Sequence, residues 1–207
     1  MKEITRIVKV YDFNELSDKA KENARMKYRE HFRETEMFSD MCNDKIKQDF
    51  PHSDLKVEYS LSYCQGDGLN IYGTFAVSDI IHFIKEKHED YSELFNKQEK
   101  RFIDYLEKQN IEITSRGNNH YSYYTDKAED VKYYIELEME GNYYRDIPYN
   151  TIQCIANMFN DCFRKYCKEM EDDGYNYFYE VEDEEILEMW EMNEYLGWSE
   201  NGSPIYQ

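Results

Sequence analysis

The sequence predicts an α+β protein: an antiparallel sheet with a central β-hairpin over residues 57–77, and helices packed on one face of that sheet. Two stretches of alternating apolar residues on either side of a glycine-rich turn indicate the hairpin. Several other stretches repeat apolar residues every three or four positions, as helices with one buried face do. With three prolines, eight glycines and no linker-like stretch in 207 residues, the chain favours a single domain over 1–207, whose acidic helical C-terminal subregion covers about 149–207.

One face of each hairpin strand carries apolar side chains, because residues two apart in a strand point the same way. A three-residue loop, Gly66-Asp67-Gly68, pairs Tyr63 with Ile71 and brings the two apolar faces together, whereas a two-residue turn would separate them. The sequence therefore predicts a tight turn at 66–68. The apolar residues are Val57, Tyr59, Leu61 and Tyr63 in the first strand and Leu69, Ile71, Phe75 and Val77 in the second.

The other elements follow from periodicity and from capping residues. Ser17 is a typical N-cap for the first helix, and Pro51 ends the second. Before the hairpin the sequence predicts a strand over 3–11 and helices over about 18–33 and 36–49. After it the sequence predicts a short helix from Ser78, a helix over about 91–109, and extended segments over 111–116 and 120–125.

The second half of the chain begins with an alternating stretch over 131–139, which predicts a half-buried antiparallel strand. Pro148 then opens a helix over about 149–171, for which Gly174 is the C-terminal signal. A last acidic helix covers about 183–193 and precedes a turn at 201–202.

The charge of the chain is −19 and is distributed unevenly. Residues 168–200 hold thirteen carboxylates and one base, Lys168, whereas residues 1–50 hold eleven acids and eleven bases. A surface of this kind repels nucleic-acid phosphates and attracts basic protein surfaces. The sequence therefore argues against direct binding of DNA or RNA.

The five cysteines share no C-x-x-C spacing, which is typical of thiols in a reducing cytoplasm. No signal peptide and no membrane-spanning run is visible. The spacings of Cys154, Cys162 and Cys167 do not suit a zinc site on one helix face. Glu136, Glu138 and Glu140 are interpreted as a solvated strand face. We expect no cofactor, no metal and no enzymatic activity.

Two motifs and a C-terminal pattern resemble a widespread group of small bacteriophage and prophage proteins. That group has no established chemistry, so the resemblance implies a phage setting, a bacterial host cytoplasm and an anti-CRISPR or other anti-defence role, but no catalytic residues. The motifs are Phe13-x-Glu15-Leu16-Ser17-x-x-Ala20-Lys21 and, after Phe50-Pro51-x-Ser53, Tyr59-Ser60-Leu61-Ser62-x-x-Gln65-Gly66-Asp67-Gly68; the tail carries Asn193-Glu194-Tyr195 and Glu200-Asn201-Gly202.

Aromatic residues interrupt the acidic stretch over 169–200, and aromatic anchors in a charged field suit a protein–protein interface. The predicted partner-binding residues are Asp172, Asp173, Tyr177, Glu180, Glu182, Asp183, Glu184, Glu185, Glu188 and Trp190. An alternative site is the hairpin tip, where glycines allow a ligand to approach the backbone; it consists of Gln65, Gly66, Asp67 and Gly68.

Three functions remain open. The first is an anti-defence inhibitor that binds a host nucleic-acid-handling effector, such as a CRISPR enzyme, through an acidic surface that mimics nucleic acid. The second is a small ligand- or nucleotide-binding protein or enzyme that uses the hairpin tip. The third is a structural or housekeeping phage protein. The apolar helix around 158–163 can bury itself within one chain or against a second copy, which leaves a homodimer open.

Overall fold

A computed structural model describes residues 7–115, 126–141, 147–192 and 195–206. The fold is α+β, as predicted: helices accompany a three-stranded antiparallel sheet of order β1-β2-β3, and β4 and β5 form a second, two-stranded antiparallel sheet. Among the described residues, no helix combines the length and the apolar character needed to cross a bilayer.

The elements of the described residues are, in chain order, α1 (Asp18–Phe32), α2 (Thr35–Asp49), β1 (Asp54–Ser60), β2 (Gly68–Ala76), α3 (Val77–Lys87), α4 (Tyr91–Leu94), α5 (Lys97–Leu106), β3 (Glu112–Ser115), α6 (Ala128–Gly141), α7 (Tyr149–Tyr179), α8 (Asp183–Met192), β4 (Tyr195–Trp198) and β5 (Pro204–Tyr206), with a short 3₁₀ helix at Phe13–Glu15. The chain divides into two compact units, the first made of 1–38 and 174–207 and the second of 39–173. That the chain acts as one domain stays a prediction.

The core of the second unit is an aromatic cluster between the three-stranded sheet and its helices. Phe75 of β2 lies against Phe159 and Phe163 of α7, with ring centroids 5.5 and 5.3 Å apart. Phe50, which follows α2, and Phe83 of α3 complete the cluster at 4.8 Å from each other. Each such fully buried ring contributes about 1.5–3 kcal/mol through removal from water, so the helices are held on the sheet mainly by these rings.

The predicted apolar face is confirmed for Val57, Tyr59, Leu69, Ile71 and Phe75. The predicted tight turn at 66–68 is wrong, and Tyr63, predicted on the apolar face, lies in the loop and is 68% exposed. Tyr59 pairs with Leu69 and Val57 with Ile71, and the loop runs from Leu61 to Asp67. The observed register differs from the predicted one by an even number of residues, so the residues of the predicted face that lie in the strands still share a face, whereas Val77 begins α3. The longer loop is stabilised by the Asp67 carboxylate, whose hydrogen bonds are described below.

The predicted strand over 131–139 is wrong, because these residues form α6. Val131, Ile135 and Met139 are buried, whereas Tyr133 and Leu137 are exposed. In an alternating stretch the apolar residues lie two positions apart, so every other one of them lies four positions from the next. An alternating pattern therefore also contains the spacing of a helical face. Glutamate and methionine favour a helix more than a strand, and the helix forms.

The predicted end of the long helix near Gly174 is also wrong, since α7 continues to Tyr179. Beyond the glycine, Tyr177 stacks on Phe38 with ring centroids 5.6 Å apart, and Phe178 meets the same ring edge-on at 5.3 Å. These contacts outweigh the roughly 1 kcal/mol that a glycine costs inside a helix. Tertiary packing therefore decides where α7 ends.

The remaining predictions mostly agree with the structure. The helices over 18–33, 36–49 and 183–193 are confirmed within two residues, and Ser17 caps α1 by accepting a hydrogen bond from the Ala20 N–H. The helix over 91–109 is divided into α4 and α5, because Asn96 caps α5. Of the strand over 3–11, only Tyr11 makes a β-bridge, to Trp198, and residues 3–6 and 120–125 lie outside the described residues.

Candidate functional site

The structure places the predicted partner-binding residues in both units. Asp172 and Asp173 lie in α7 within the second unit, and the others belong to the first unit, at the end of α7 and in α8. The side chain of Trp190 lies outside the described part. The candidate site described below therefore consists of residues of the first unit.

Among the exposed carboxylates of the first unit are Glu180, Glu182, Glu184 and Glu188 of the acidic stretch, which we call the acidic surface. Glu184 and Glu188 are one turn apart in α8 and so share a helix face. Residues 174–207 contain neither lysine nor arginine. No cation within this stretch offsets its negative charges, whereas Arg25 and Arg33 of the α1 region pair with two of them, Asp183 and Glu185.

Two neighbouring carboxylates have a structural role instead, because they pair with arginines of the α1 region. Arg25 donates from Nε and Nη2 to Asp183 Oδ1 at 2.9 and 2.7 Å. Arg33 donates from Nη2 to Glu185 Oε1 at 2.6 Å. These ion pairs attach α8 to α1 and so fix the helix that presents Glu184 and Glu188.

The protonation states of this network favour its hydrogen bonds. The hydrogen bond to Asp183 raises the pKa of Arg25, which therefore keeps its charge. Burial, followed by the hydrogen bond to Glu185, raises the pKa of Tyr28 to about 12. The Tyr28 hydroxyl accordingly remains a donor to Glu185 Oε1, at 3.0 Å.

Tyr177 packs within the first unit. The Arg33 guanidinium lies 4.8 Å from the centroid of its ring, Phe38 stacks on it, and its hydroxyl donates to the Glu34 carbonyl at 3.4 Å. The side chain is half-buried. Its contacts position Arg33 beside Glu185, and its direct contact with a partner stays a prediction.

We expect Glu185→Gln to lower the free energy of unfolding by about 1–2 kcal/mol, because the charge-assisted hydrogen bond from Arg33 and the one from Tyr28 both lose a charged acceptor. This expected loss is small for a charge-assisted hydrogen bond, because the Glu185 side chain is 35% exposed and solvent screens its interaction with Arg33. Urea unfolding followed by circular dichroism measures the change. Glu188→Gln, at an exposed position of the same helix beyond its first turn, is the control, with an expected change below about 0.5 kcal/mol. Equal changes in the two variants would contradict a structural role for Glu185.

The alternative site, the hairpin tip, is organised around Asp67. Its Oδ2 accepts hydrogen bonds from the Ser62 and Cys64 N–H groups at 2.6 and 3.0 Å. Its Oδ1 accepts from Ser60 Oγ at 2.9 Å and from Cys64 Sγ at 3.0 Å. Although removal from water opposes ionisation, these bonds hold the pKa of Asp67 well below its usual range. The carboxylate therefore serves the loop itself.

The other residues of the tip differ in their exposure to solvent. Gln65 is exposed, Gly66 is half-buried and Gly68 is buried in the first position of β2. Cavities of about 690 and 80 Å³ in the second unit are lined by other residues. The structure thus explains Asp67 as a loop residue, and a ligand at the tip stays a prediction.

We expect Asp67→Asn to loosen this loop, because an amide cannot accept four hydrogen bonds in place of a carboxylate. Cys64, whose pKa is raised first of all by its hydrogen bond to Asp67, should then react several-fold faster with iodoacetamide at mildly alkaline pH. In the wild type the same loosening should appear on acidification: the stabilising effect is present above the unfolded pKa of Asp67 and lost as pH falls through the folded one. An unchanged alkylation rate would contradict this role.

Sequence reasoning missed a buried polar cluster in the second unit. Lys127 is 1% exposed, and its Nζ donates to Asn70 Oδ1 at 3.4 Å. Burial lowers the pKa of Lys127 to about 8. Asn70 in turn donates to Glu58 Oε1 at 3.2 Å. No sequence signal marks these residues, since lysine and asparagine are ordinarily exposed.

A second missed group surrounds Asp79, which is buried in the first turn of α3. It accepts hydrogen bonds from the His52 N–H, the Ser53 hydroxyl and the His52 ring at 2.7–2.8 Å. These bonds fix the turn between α2 and β1. Within the described ranges, no group of three or more His, Cys, Asp or Glu side chains is arranged to hold a metal ion.

Comparison with known proteins gives no family. The sequence matches no protein-family model, and searches of curated proteins and of solved structures give no significant match.

Proposed function

We propose that this protein is a non-enzymatic inhibitor that binds a nucleic-acid-handling protein through the acidic surface, Glu180, Glu182, Glu184 and Glu188. The observation that carries the proposal is that these four side chains are exposed in a stretch of the chain without lysine or arginine. Such a group of charges is complementary to the lysines and arginines with which a partner binds phosphates.

The network beneath the acidic surface supports the proposal. Because Asp183 and Glu185 are held by Arg25 and Arg33, α8 is attached to α1 before any partner arrives. A preorganised surface loses less conformational entropy on binding than a flexible acidic tail does. Asp172 and Asp173, which are exposed in the second unit, remain predicted contacts.

The resemblance of the two N-terminal motifs to phage proteins supplies the setting. In that setting the target is a host defence enzyme that handles nucleic acid, with a CRISPR effector as the leading case, and the inhibitor acts in the bacterial cytoplasm. The acidic side chains then occupy a channel that otherwise holds phosphates. Nucleic acid is excluded by competition for the same cations.

We expect reversal of three charges, Glu180→Lys, Glu182→Lys and Glu188→Lys together, to weaken partner binding by about 100-fold or more, because three attractive contacts become repulsive. Glu184 is left unchanged, since its carboxylate also stabilises the N-terminal turn of α8. The partner is captured with the tagged wild type from nuclease-treated host lysate and identified, and its affinity for both proteins is then measured at low and high salt.

The matched control is Asp40→Lys, Glu89→Lys and Asp104→Lys, which changes the total charge equally at three exposed carboxylates of the second unit. This control should retain most of the affinity, and both variants should keep the wild-type circular dichroism spectrum. If no nucleic-acid-binding partner is captured, or if both variants bind it equally, the proposal is wrong. A housekeeping role then becomes the better explanation.

A further inference from the structure

A cleft of about 690 Å³ lies in the second unit, between α5 and the first turn of α7. Its volume falls within the 300–1,000 Å³ range of ligand sites. Phe102, Pro148 and Tyr149 contribute apolar surface, and Arg101 and Asn150 contribute polar groups at its edge. Glu99 joins its two sides, because it accepts hydrogen bonds from the Asn96 N–H at 2.8 Å and from the Thr151 hydroxyl at 3.3 Å. The cleft is therefore pre-formed.

An exposed apolar ridge continues from the cleft onto α6. Tyr149 is 48% exposed, and its hydroxyl reaches Glu140 Oε1 of α6 at 3.5 Å. On the same helix Tyr133 and Leu137 are 59% and 50% exposed, one turn apart. We call Tyr133, Leu137 and Tyr149 the α6 ridge. Two large apolar side chains that neighbour each other on an exposed helix face, with Tyr149 reaching the same helix through Glu140, exceed the single exposed apolar residues that are normal on a surface.

The charge around the α6 ridge indicates the occupant. Helix α6 carries five carboxylates and one lysine. The pKa of Tyr149 is raised first by the removal of its hydroxyl from water and second by the nearby negative charges of Glu140 and Glu136. A second copy of a chain with a charge of −19 would place like charges opposite one another. A segment with apolar and basic side chains is complementary to the apolar α6 ridge and to the neighbouring carboxylates Glu136 and Glu140.

We propose that the cleft and the α6 ridge form a docking groove for a protein segment in which a large apolar side chain neighbours a lysine or arginine. The apolar side chain lies against Tyr149 and Phe102 in the cleft. The basic side chain pairs with Glu136 or Glu140. This groove belongs to the second unit and is independent of the acidic surface of the first unit.

The test is selection of binding peptides from a random twelve-residue display library on the purified wild-type protein. Selected peptides are then synthesised, and their affinities are measured by fluorescence polarisation for the wild type and for three variants. The groove variant is Tyr133→Ala, Leu137→Ala and Tyr149→Ala, in which alanine preserves the helices. The matched control is Met41→Ala, Tyr63→Ala and Leu94→Ala, which removes three other exposed apolar side chains of the same unit. The charge variant is Glu136→Gln with Glu140→Gln.

The expected result is enrichment of peptides that pair a large apolar residue with Lys or Arg. Their affinity should fall about 10-fold or more in the groove variant, fall measurably in the charge variant, and change less than about two-fold in the control. The proposal is overturned if no peptide is enriched, if the enriched peptides lack this pattern, or if the groove and control variants bind equally. None of these outcomes depends on Glu180, Glu182 or Glu188, so failure here is distinguishable from failure of the inhibitor function.

Discussion

Gly202→Ala is expected to lower the free energy of unfolding by about 3 kcal/mol. A left-handed backbone at a residue with a side chain costs roughly 1–2 kcal/mol, and overpacking against a neighbouring group costs roughly 1–3 kcal/mol. Gly202 has a φ of +80°, which residues with a side chain adopt at a cost. A Cβ at this position would overlap the backbone carbonyl group of Ala20 in α1. A helix backbone cannot move aside as a flexible side chain can.

The effect should be large because Gly202 lies in the turn that attaches the C-terminal strands to α1. The Gly202 N–H donates to the Ser199 carbonyl at 2.9 Å, and Asn23 of α1 donates from Nδ2 to the Asn201 carbonyl at 2.7 Å. Displacing the turn would break this attachment. Urea unfolding followed by circular dichroism measures the loss.

Gly141→Ala is the matched control. Gly141 is the last residue of α6, and a Cβ there meets no atom within 4 Å. This substitution should leave stability unchanged or raise it by about 0.5 kcal/mol. If the two alanine variants proved equally stable, the close approach of the turn to α1 would be refuted.

Lys127→Met should remove the penalty of a buried ammonium group. The pKa of Lys127 falls from 10.5 to about 8 on folding, because burial disfavours its charged form. A shift of this size corresponds to about 3 kcal/mol of destabilisation wherever the lysine is protonated in both states, that is, below about pH 8. Methionine fills a similar volume without charge. The gain is partly offset because Asn70 Oδ1 loses its donor.

The pH dependence of this gain is the clearest readout. Between about pH 8 and pH 10.5 the unfolded state binds more protons at Lys127 than the folded state, so the lysine penalty decreases as pH rises. The advantage of the methionine variant over wild type should therefore fall by about 1 kcal/mol between about pH 7 and pH 9. Comparing the two proteins cancels the titration of groups that they share, such as Cys42, whose pKa burial raises to about 12.

Lys47→Met, at an exposed position of α2, is the control for this measurement. The difference in stability between that variant and wild type should stay constant over the same pH range. A constant difference for Lys127→Met as well would show that the lysine is solvated in the folded protein.

Local patterns predicted the fold where burial decided the structure. The alternation of Val57, Tyr59, Leu69 and Ile71 determined the hairpin faces, since one face of a sheet must be apolar. The loop length depended on Asp67, whose four hydrogen bonds no periodic pattern encodes. Gly174 was predicted to end α7, but contacts with Phe38, far away in sequence, extended it.

The candidate site was predictable as a stretch but not as individual residues. Sequence reasoning treated the acids from Glu180 to Glu188 alike. The structure separates Asp183 and Glu185 from the rest because their arginine partners lie in and beside α1, more than 150 positions earlier in the chain. Local composition cannot identify such partners. For the same reason the buried pair of Lys127 and Asn70 was not foreseen.

The discontinuity of the first unit affects the order in which the chain can fold. Residues 39–173 form the second unit without interruption, whereas the first unit needs both residues 1–38 and 174–207. On the ribosome about 5–20 residues are added each second. All residues of the second unit are therefore synthesised before α8, with which α1 packs, has been synthesised. During this interval Arg25 and Arg33 have not yet met Asp183 and Glu185. Any cut that removes the C-terminal stretch consequently removes half of a unit whose other half has already been made.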